Sequence, residues 1–192
     1  MFGRETVGKV PAFEKRYAEL FPRAVEPGFD RADLKRERRG DLVVAQPRAL
    51  AQGEDLAAVI RQRGERRAHG VPVLYDCGGL YEGVAELLSL TDYMIPSREF
   101  ALAHTGKATV PEAAKALYNT YSPRLVVITE GKKGGTAYDG ERVWEYPATS
   151  AVVVDSNGSG DVFHGAFAAG YLKGYDFLKC CYFASAVSAV KC

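Results

Sequence analysis

Residues 152–173 read VVVDSNGSGDVFHGAFAAGYLK, and this stretch decides how the rest of the chain is read. An apolar run ends at Asp155, a small polar segment covers Ser156–Gly160, and a helix is expected beyond it. Val162, Phe163, Ala166, Phe167 and Gly170 fall on one face of that helix, with residues small enough for close packing. Gly158 and Gly160 let the backbone turn and let a ligand approach closely. The first amides of a helix have no partner within it, and the aligned peptide dipoles add partial positive charge there. That end suits a phosphate. Asp161 sits in the first turn, where a carboxylate is favoured and can take a proton from an attacking hydroxyl. Phosphoryl transfer passes through a loose transition state, so positioning and charge stabilisation count for more than base strength. The same Gly-Ser-Gly-Asp run also reads as a plain strand-to-helix turn, with Asp161 merely stabilising the first helical turn; spacing alone does not choose.

Outward from this loop, short apolar runs alternate with longer amphipathic ones. Leu42–Ala45, Val71–Tyr75, Tyr93–Ile95 and Leu125–Thr129 read as buried strands, being short, β-branched or aromatic, and bounded by charge, Pro or Gly. Helices are expected over Glu54–His69, Tyr81–Leu90, Ser97–His104 and Pro111–Tyr121. The last carries a start signal: Thr109 as cap, Glu112 three residues on reaching back, and Pro111 in the first turn. Its apolar face is Ala114, Leu117, Tyr118 and Tyr121. Alternation of this kind implies an α/β fold with a parallel sheet covered on both faces. Ligands of such sheets bind beyond the carboxyl ends of the strands, which points to the residues just after Tyr75, Ile95 and Thr129. Beyond Thr129, Gly135–Tyr138 and Arg142–Tyr146 flank Asp139–Gly140, a two-residue hairpin signal.

Composition bounds the class. With 47% hydrophobic and 26% charged residues, the chain has the balance of an ordinary globular protein. The formal net charge of +1 gives no field that recruits nucleic acid or an anionic membrane. The basic runs Arg31–Arg39 and Arg61–Arg67 contain acidic residues and read as solvated helix faces. Cys77, Cys180, Cys181 and Cys192 show no metal spacing, and reduced thiols in a cytoplasm are the simplest account. No apolar leader opens the sequence and no stretch is long enough to span a membrane. Residues 1–40 form a poorly assigned segment, with Pro22 and Pro27 breaking any helix that begins near Val10. The organised part is 41–192.

Asp155–Ala168 (DSNGSGDVFHGAFA) closely resembles the C-terminal signature of the PfkB/ribokinase family of carbohydrate kinases. Thr129-Glu-Gly131-Lys-Lys-Gly134 resembles that family's nucleotide loop, and Val71–Gly79 its strand and Asp-x-Gly turn. Asp92–Gly106 is similar to its strand, Asn-x-x-Glu and Thr-Gly segment. The resemblance implies a ribokinase-like three-layer α/β/α fold with a mainly parallel sheet, and ATP-dependent phosphoryl transfer to a hydroxyl of a sugar or nucleoside-like molecule. It implies Asp161 as catalytic base and Gly158, Ser159 and Gly160 as the anion hole. Nucleotide contacts are implied at Thr129, Gly131, Gly134 and Ser97, with ATP taken together with Mg2+. In members that use a monovalent cation, the place of Asp155, with Asn157 beside it, helps hold that ion.

Two departures qualify these expectations. The family carboxylate near the magnesium falls here on Phe100, within Ser97-Arg98-Glu99-Phe100, so the metal ligands stay unassigned. Nothing before residue 41 resembles the substrate-binding half or its β lid, and the sequence stops inside an expected helix. The chain therefore reads as truncated at both ends, with little turnover by 1–192 alone and no lid-mediated dimer expected. The alternative is a catalytically silent ribokinase-like fragment that binds nucleotide or a protein partner. Three residues have two readings each. His164 is a proton shuttle or a polar residue facing solvent or a loop. Lys132 and Lys133 are phosphate contacts or solvated loop lysines.

Overall fold

A computed structural model describes residues 43–45 (backbone only), 61, 64, 65 and 68–192. The N-terminal segment 1–40 lies outside them, as does most of the expected helix Glu54–His69, of which the described residues Arg61, Gly64, Glu65 and Ala68 are helical. The strands are β1 (Val43–Ala45), β2 (Val73–Cys77), β3 (Tyr93–Pro96), β4 (Leu125–Thr129), β5 (Gly135–Tyr138) and β6 (Val143–Tyr146). The helices are α1 (Val84–Ser89), α2 (Arg98–Thr105), α3 (Val110–Tyr121), α4 (Ser159–Leu172) and α5 (Phe177–Lys191).

The strands lie side by side in chain order as one six-stranded sheet. β1 to β4 are parallel, and β5 and β6 add an antiparallel edge. β2 starts two residues later than expected and runs on to Cys77. Pro72 has no N–H for the ladder, while Asp76 and Cys77 still pair with Ile95 and Pro96.

Strand side chains alternate between faces, and both faces are covered. On one, Tyr75, Cys77, Met94, Val126 and Ile128 join a buried cluster with residues of α1, α2 and α3. On the other, the ring of Tyr93 lies 6.2 Å from Phe167 and 5.0 Å from Tyr171, both on α4. Tyr146 stacks on Phe163 of α4, and Trp144 meets Phe177 of α5 edge-on. The result is three layers, helix–sheet–helix.

Local signals explain most boundaries. Ser97 caps α2 by accepting from the Phe100 amide at 3.2 Å. Thr109 caps α3, accepting from the Glu112 amide at 3.4 Å. The return half of that capping pair differs from expectation, because the Thr109 hydroxyl donates to Glu112 Oε2 at 2.7 Å. The buried stripe of α3 is Val110, Ala113, Ala114 and Leu117, and Tyr118 and Tyr121 pack half-buried at its margin.

Two expectations fail in instructive ways. The hairpin has a four-residue connection, since Tyr138 pairs with Val143. Asp139 closes it: Oδ1 accepts from the amides of Glu141 (2.9 Å) and Arg142 (2.8 Å), and Oδ2 accepts from the Trp144 indole at 3.1 Å. The apolar run Val152–Val154 is exposed and belongs to no strand. Its backbone turns to the end of α5, where the amides of Val154 and Asp155 donate to the Cys192 carbonyl at 2.8 and 3.1 Å.

Candidate active site

The carboxyl end of β4 meets the start of α4 across a cleft of about 740 Å³. Thr129, Gly131, Lys132 and Gly134 line one side, and Ser156, Ser159, Gly160 and Phe163 the other. Tyr146 and residues 148–151 lie between them. α5 adds a wall the sequence reading missed, with Ser185, Ser188, Ala189 and Cys192 facing the cleft. Its signal was available in the helical spacing of those four positions.

The Thr129–Gly134 loop keeps its shape through Gly134. Its φ of 95° suits glycine alone, and a Cβ there would run into the carbonyl of Tyr146. The loop is closed by the Glu130 amide donating to the Gly134 carbonyl at 2.8 Å, and Glu130 Oε1 accepts from Thr136 at 3.0 Å, so Glu130 has a structural place. Ser97 does not line the cleft. It bridges to Thr129 across the sheet and spends its hydroxyl on capping α2. Lys133 does not line the cleft either, whereas Lys132 does. Burial pushes the Tyr146 phenol well above its ordinary range, assisted by Cys181 and Glu130. Its hydroxyl has no hydrogen-bond partner among the described residues.

At the other side, Gly158 is the N-cap of α4 with φ 74°. The Asp161 Oδ2 atom lies 3.7 Å from where a Gly158 Cβ would be, so the carboxylate folds back over the loop. Of the three residues expected to form an anion hole, Ser159 has its amide engaged already, donating to Ser156 at 3.1 Å to close the turn. Gly160 is exposed, a Cβ there would meet nothing within 4 Å, and its amide has no partner among the described residues. Gly158 and Asp161 stand behind the cleft lining rather than in it.

His164 differs most from expectation. It is 3% exposed and faces neither solvent nor a loose loop. Its Nδ1 lies 2.7 Å from the Gly160 carbonyl oxygen and its Nε2 2.8 Å from that of Ile95. Asp76 Oδ1 lies 3.5 Å from Nε2.

The oxygens of Asp155 are engaged by the chain itself. Oδ1 accepts from the Asn157 amide at 2.9 Å, and the Lys191 ammonium donates to the Asp155 carbonyl at 2.9 Å while lying 3.6 Å from Oδ2. The Asn157 bond and the Lys191 charge hold the Asp155 carboxyl below its usual range. An ammonium seated on these oxygens does not fit a cage for a monovalent cation. Phe100 is buried in the core and stacks on His104, so it offers no metal ligand. Among the described residues no group of three His, Cys, Asp or Glu is placed to hold a metal ion. None of Cys77, Cys180, Cys181 and Cys192 is in a disulfide. Among the described residues no helix is long and apolar enough to cross a membrane.

A parallel sheet whose strand ends face a glycine loop and a helix start defines the class: an α/β protein of ribokinase-like fold. Residues 40–192 match the pfkB family of carbohydrate kinases, and the chain belongs to that family. It is 39% identical over 98 residues to the cytidine kinase of Thermococcus kodakarensis, an alignment covering 50% of this chain and 34% of that protein. It is 35% identical over 105 residues to the ribokinase of Lactococcus lactis, covering 54% and 33%. The Arabidopsis thaliana ribokinase solved with ribose and ATP superposes with a TM-score of 0.68 at 26% identity, covering 83% of this chain and 52% of that one. The aligned part thus spans about a third of these curated relatives.

Proposed function

We propose that this chain carries the ATP-binding and phosphoryl-transferring part of a carbohydrate or nucleoside kinase, with Asp161 as the base. The observation that carries the reading is the single cleft joining Thr129, Gly131 and Gly134 to Ser159 and Gly160, with the Asp161 carboxylate folded over the loop behind. The relatives named above are a cytidine kinase and a ribokinase, which supports a sugar or nucleoside hydroxyl as acceptor. ATP enters as its magnesium complex; an E. coli protein of the same fold was solved with ATP and Mg2+. No step is assigned to a metal held by this chain, nor to a monovalent cation.

In this reading the nucleotide lies along Thr129–Gly134, with Lys132 near its phosphates. The Gly160 amide, at the positive end of α4, receives the transferred phosphoryl group. Asp161 accepts the acceptor's hydroxyl proton as its oxygen attacks phosphorus and the bond to ADP breaks. The amide and carboxylate supply position and charge rather than a strong base.

The test is ADP release by the polypeptide extended with its flanking coding sequence, across a panel that includes ribose and cytidine. Turnover with at least one acceptor is expected, abolished by Asp161→Asn with ATP affinity retained. Full turnover in that variant removes Asp161 as base, and no turnover with any acceptor removes the kinase assignment.

A further inference from the structure

The phosphate loop is braced by two side chains. A peptide unit has its carbonyl and its N–H on opposite edges, so a hydrogen bond to the carbonyl fixes where the N–H points. The unit carrying the Gly160 amide has the Ser159 carbonyl, which accepts from the Ser188 hydroxyl of α5 at 2.8 Å. The next unit has the Gly160 carbonyl, which faces His164 Nδ1 at 2.7 Å. Two successive units are thus held by side chains, Ser188 from the α5 wall of the cleft and His164 from the sheet side. The other nitrogen of His164 reaches the Ile95 carbonyl on β3, with the Asp76 carboxylate of β2 beside it. This links the start of α4 to the carboxyl ends of two parallel strands.

We propose that His164 and Ser188 are positioning residues that aim the Gly160–Asp161 backbone at a bound phosphoryl group. The inference rests on the kinase reading of the cleft. A helix start without such braces can rotate its first turn, since those peptides lack the full set of helical bonds. A side chain tied at once to the first turn and to the sheet removes that freedom, and hydrogen bonds in series strengthen each other. Pre-aimed donors need no reorganisation when charge develops on the phosphoryl oxygens. A merely structural histidine would stabilise the fold without regard to what occupies the cleft. A positioning histidine affects the phosphate-dependent part of binding.

The experiment compares Kd for AMP with Kd for a non-hydrolysable ATP analogue, by calorimetry on the full 192-residue chain and its variants. The wild type is expected to bind the analogue more tightly than AMP. In His164→Ala that preference should shrink about tenfold, the scale of a lost hydrogen bond, with AMP affinity held. His164→Asn keeps a donor for one carbonyl and should recover part of it. Ser188→Ala, distant from His164 in sequence and on another helix, should lower the preference as well; it carries the test if His164→Ala does not fold. Variants that fold and keep the full wild-type preference overturn the positioning role while leaving the kinase reading intact. Equal affinity of the wild type for both ligands removes the phosphate site, and this inference with it.

Discussion

The two ends of the parallel sheet carry similar chemistry arranged to opposite effect. At the amino end, Asp92 is 4% exposed and its oxygens are engaged by the chain itself. Oδ2 accepts from the Val73 amide at 2.9 Å, Oδ1 lies 3.3 Å from Arg124 Nε, and the Asp92 carbonyl accepts from the Arg124 and Leu125 amides at 2.8 and 3.2 Å. At the carboxyl end, Asp76 and His164 likewise bind protein groups, but the chain of contacts stops at the Gly160 amide, which the described residues leave open. A saturated polar cluster holds strands together. One left with a single unpaired donor holds a place for something else.

Substitutions at the two ends should therefore separate. Asp161→Asn should cut turnover by about 10²–10⁴-fold, the usual contribution of a positioned base, with stability in urea lowered by no more than about 1 kcal/mol. Asp92→Ala should do the reverse. Removing the acceptor leaves the buried Val73 amide unpaired and costs about 3 kcal/mol of unfolding free energy, while ATP affinity per folded molecule is kept. If Asp92→Ala loosens ATP and leaves stability alone, the contrast between the ends is wrong.

Gly134→Ala sharpens the comparison inside the site. It forces a side chain into the Tyr146 carbonyl at a backbone angle that disfavours one, so stability should fall by about 1–2 kcal/mol. ATP affinity should fall with it, because the same loop lines the cleft; calorimetry on the folded fraction reads this.

The smallest effect belongs to a third acid, Asp139 at the hairpin tip. Partial burial pushes its carboxyl up, but the Arg142 and Glu141 amides and the Trp144 indole outweigh this and leave it below the ordinary value. A depressed carboxyl contributes stability that is present above its unfolded pKa and is lost as pH falls through the lower, folded value. Asp139→Asn should flatten that acid limb in a urea titration from neutral to acid pH and leave nucleotide binding untouched. An unchanged limb would show that the three hydrogen bonds contribute nothing net.

Much of this was legible in the sequence, for identifiable reasons. β3, β4 and α3 follow from apolar periodicity and a capping residue, both local signals. The ordered pairing of motifs with strand ends placed Thr129, Gly131, Gly134 and Gly160 in one region, and the cleft joins them. The hairpin tip was misread because Asp139 closes a four-residue turn with its side chain, which the Asp-Gly pair alone does not reveal. His164 was misread for a different reason. Its neighbours in sequence say only that it sits on a helix, whereas its partners Ile95 and Asp76 come from strands far earlier in the chain. The Lys191 contact to Asp155 was hidden in the same way. Ser97 kept its expected neighbour, Thr129, but its hydroxyl caps a helix.

The antiparallel edge has a practical use. β5 leaves the Gly131–Gly134 loop and runs back along β4, so Gly135 pairs with Thr129 beside the cleft and Tyr138 with Val126 near the start of that strand. The tip, where Glu141 and Arg142 are exposed, therefore sits at the opposite pole from the cleft. A fluorophore, affinity tag or surface tether attached at Glu141 would leave the mouth of the cleft unobstructed, giving the molecule a ready handle for immobilised binding measurements.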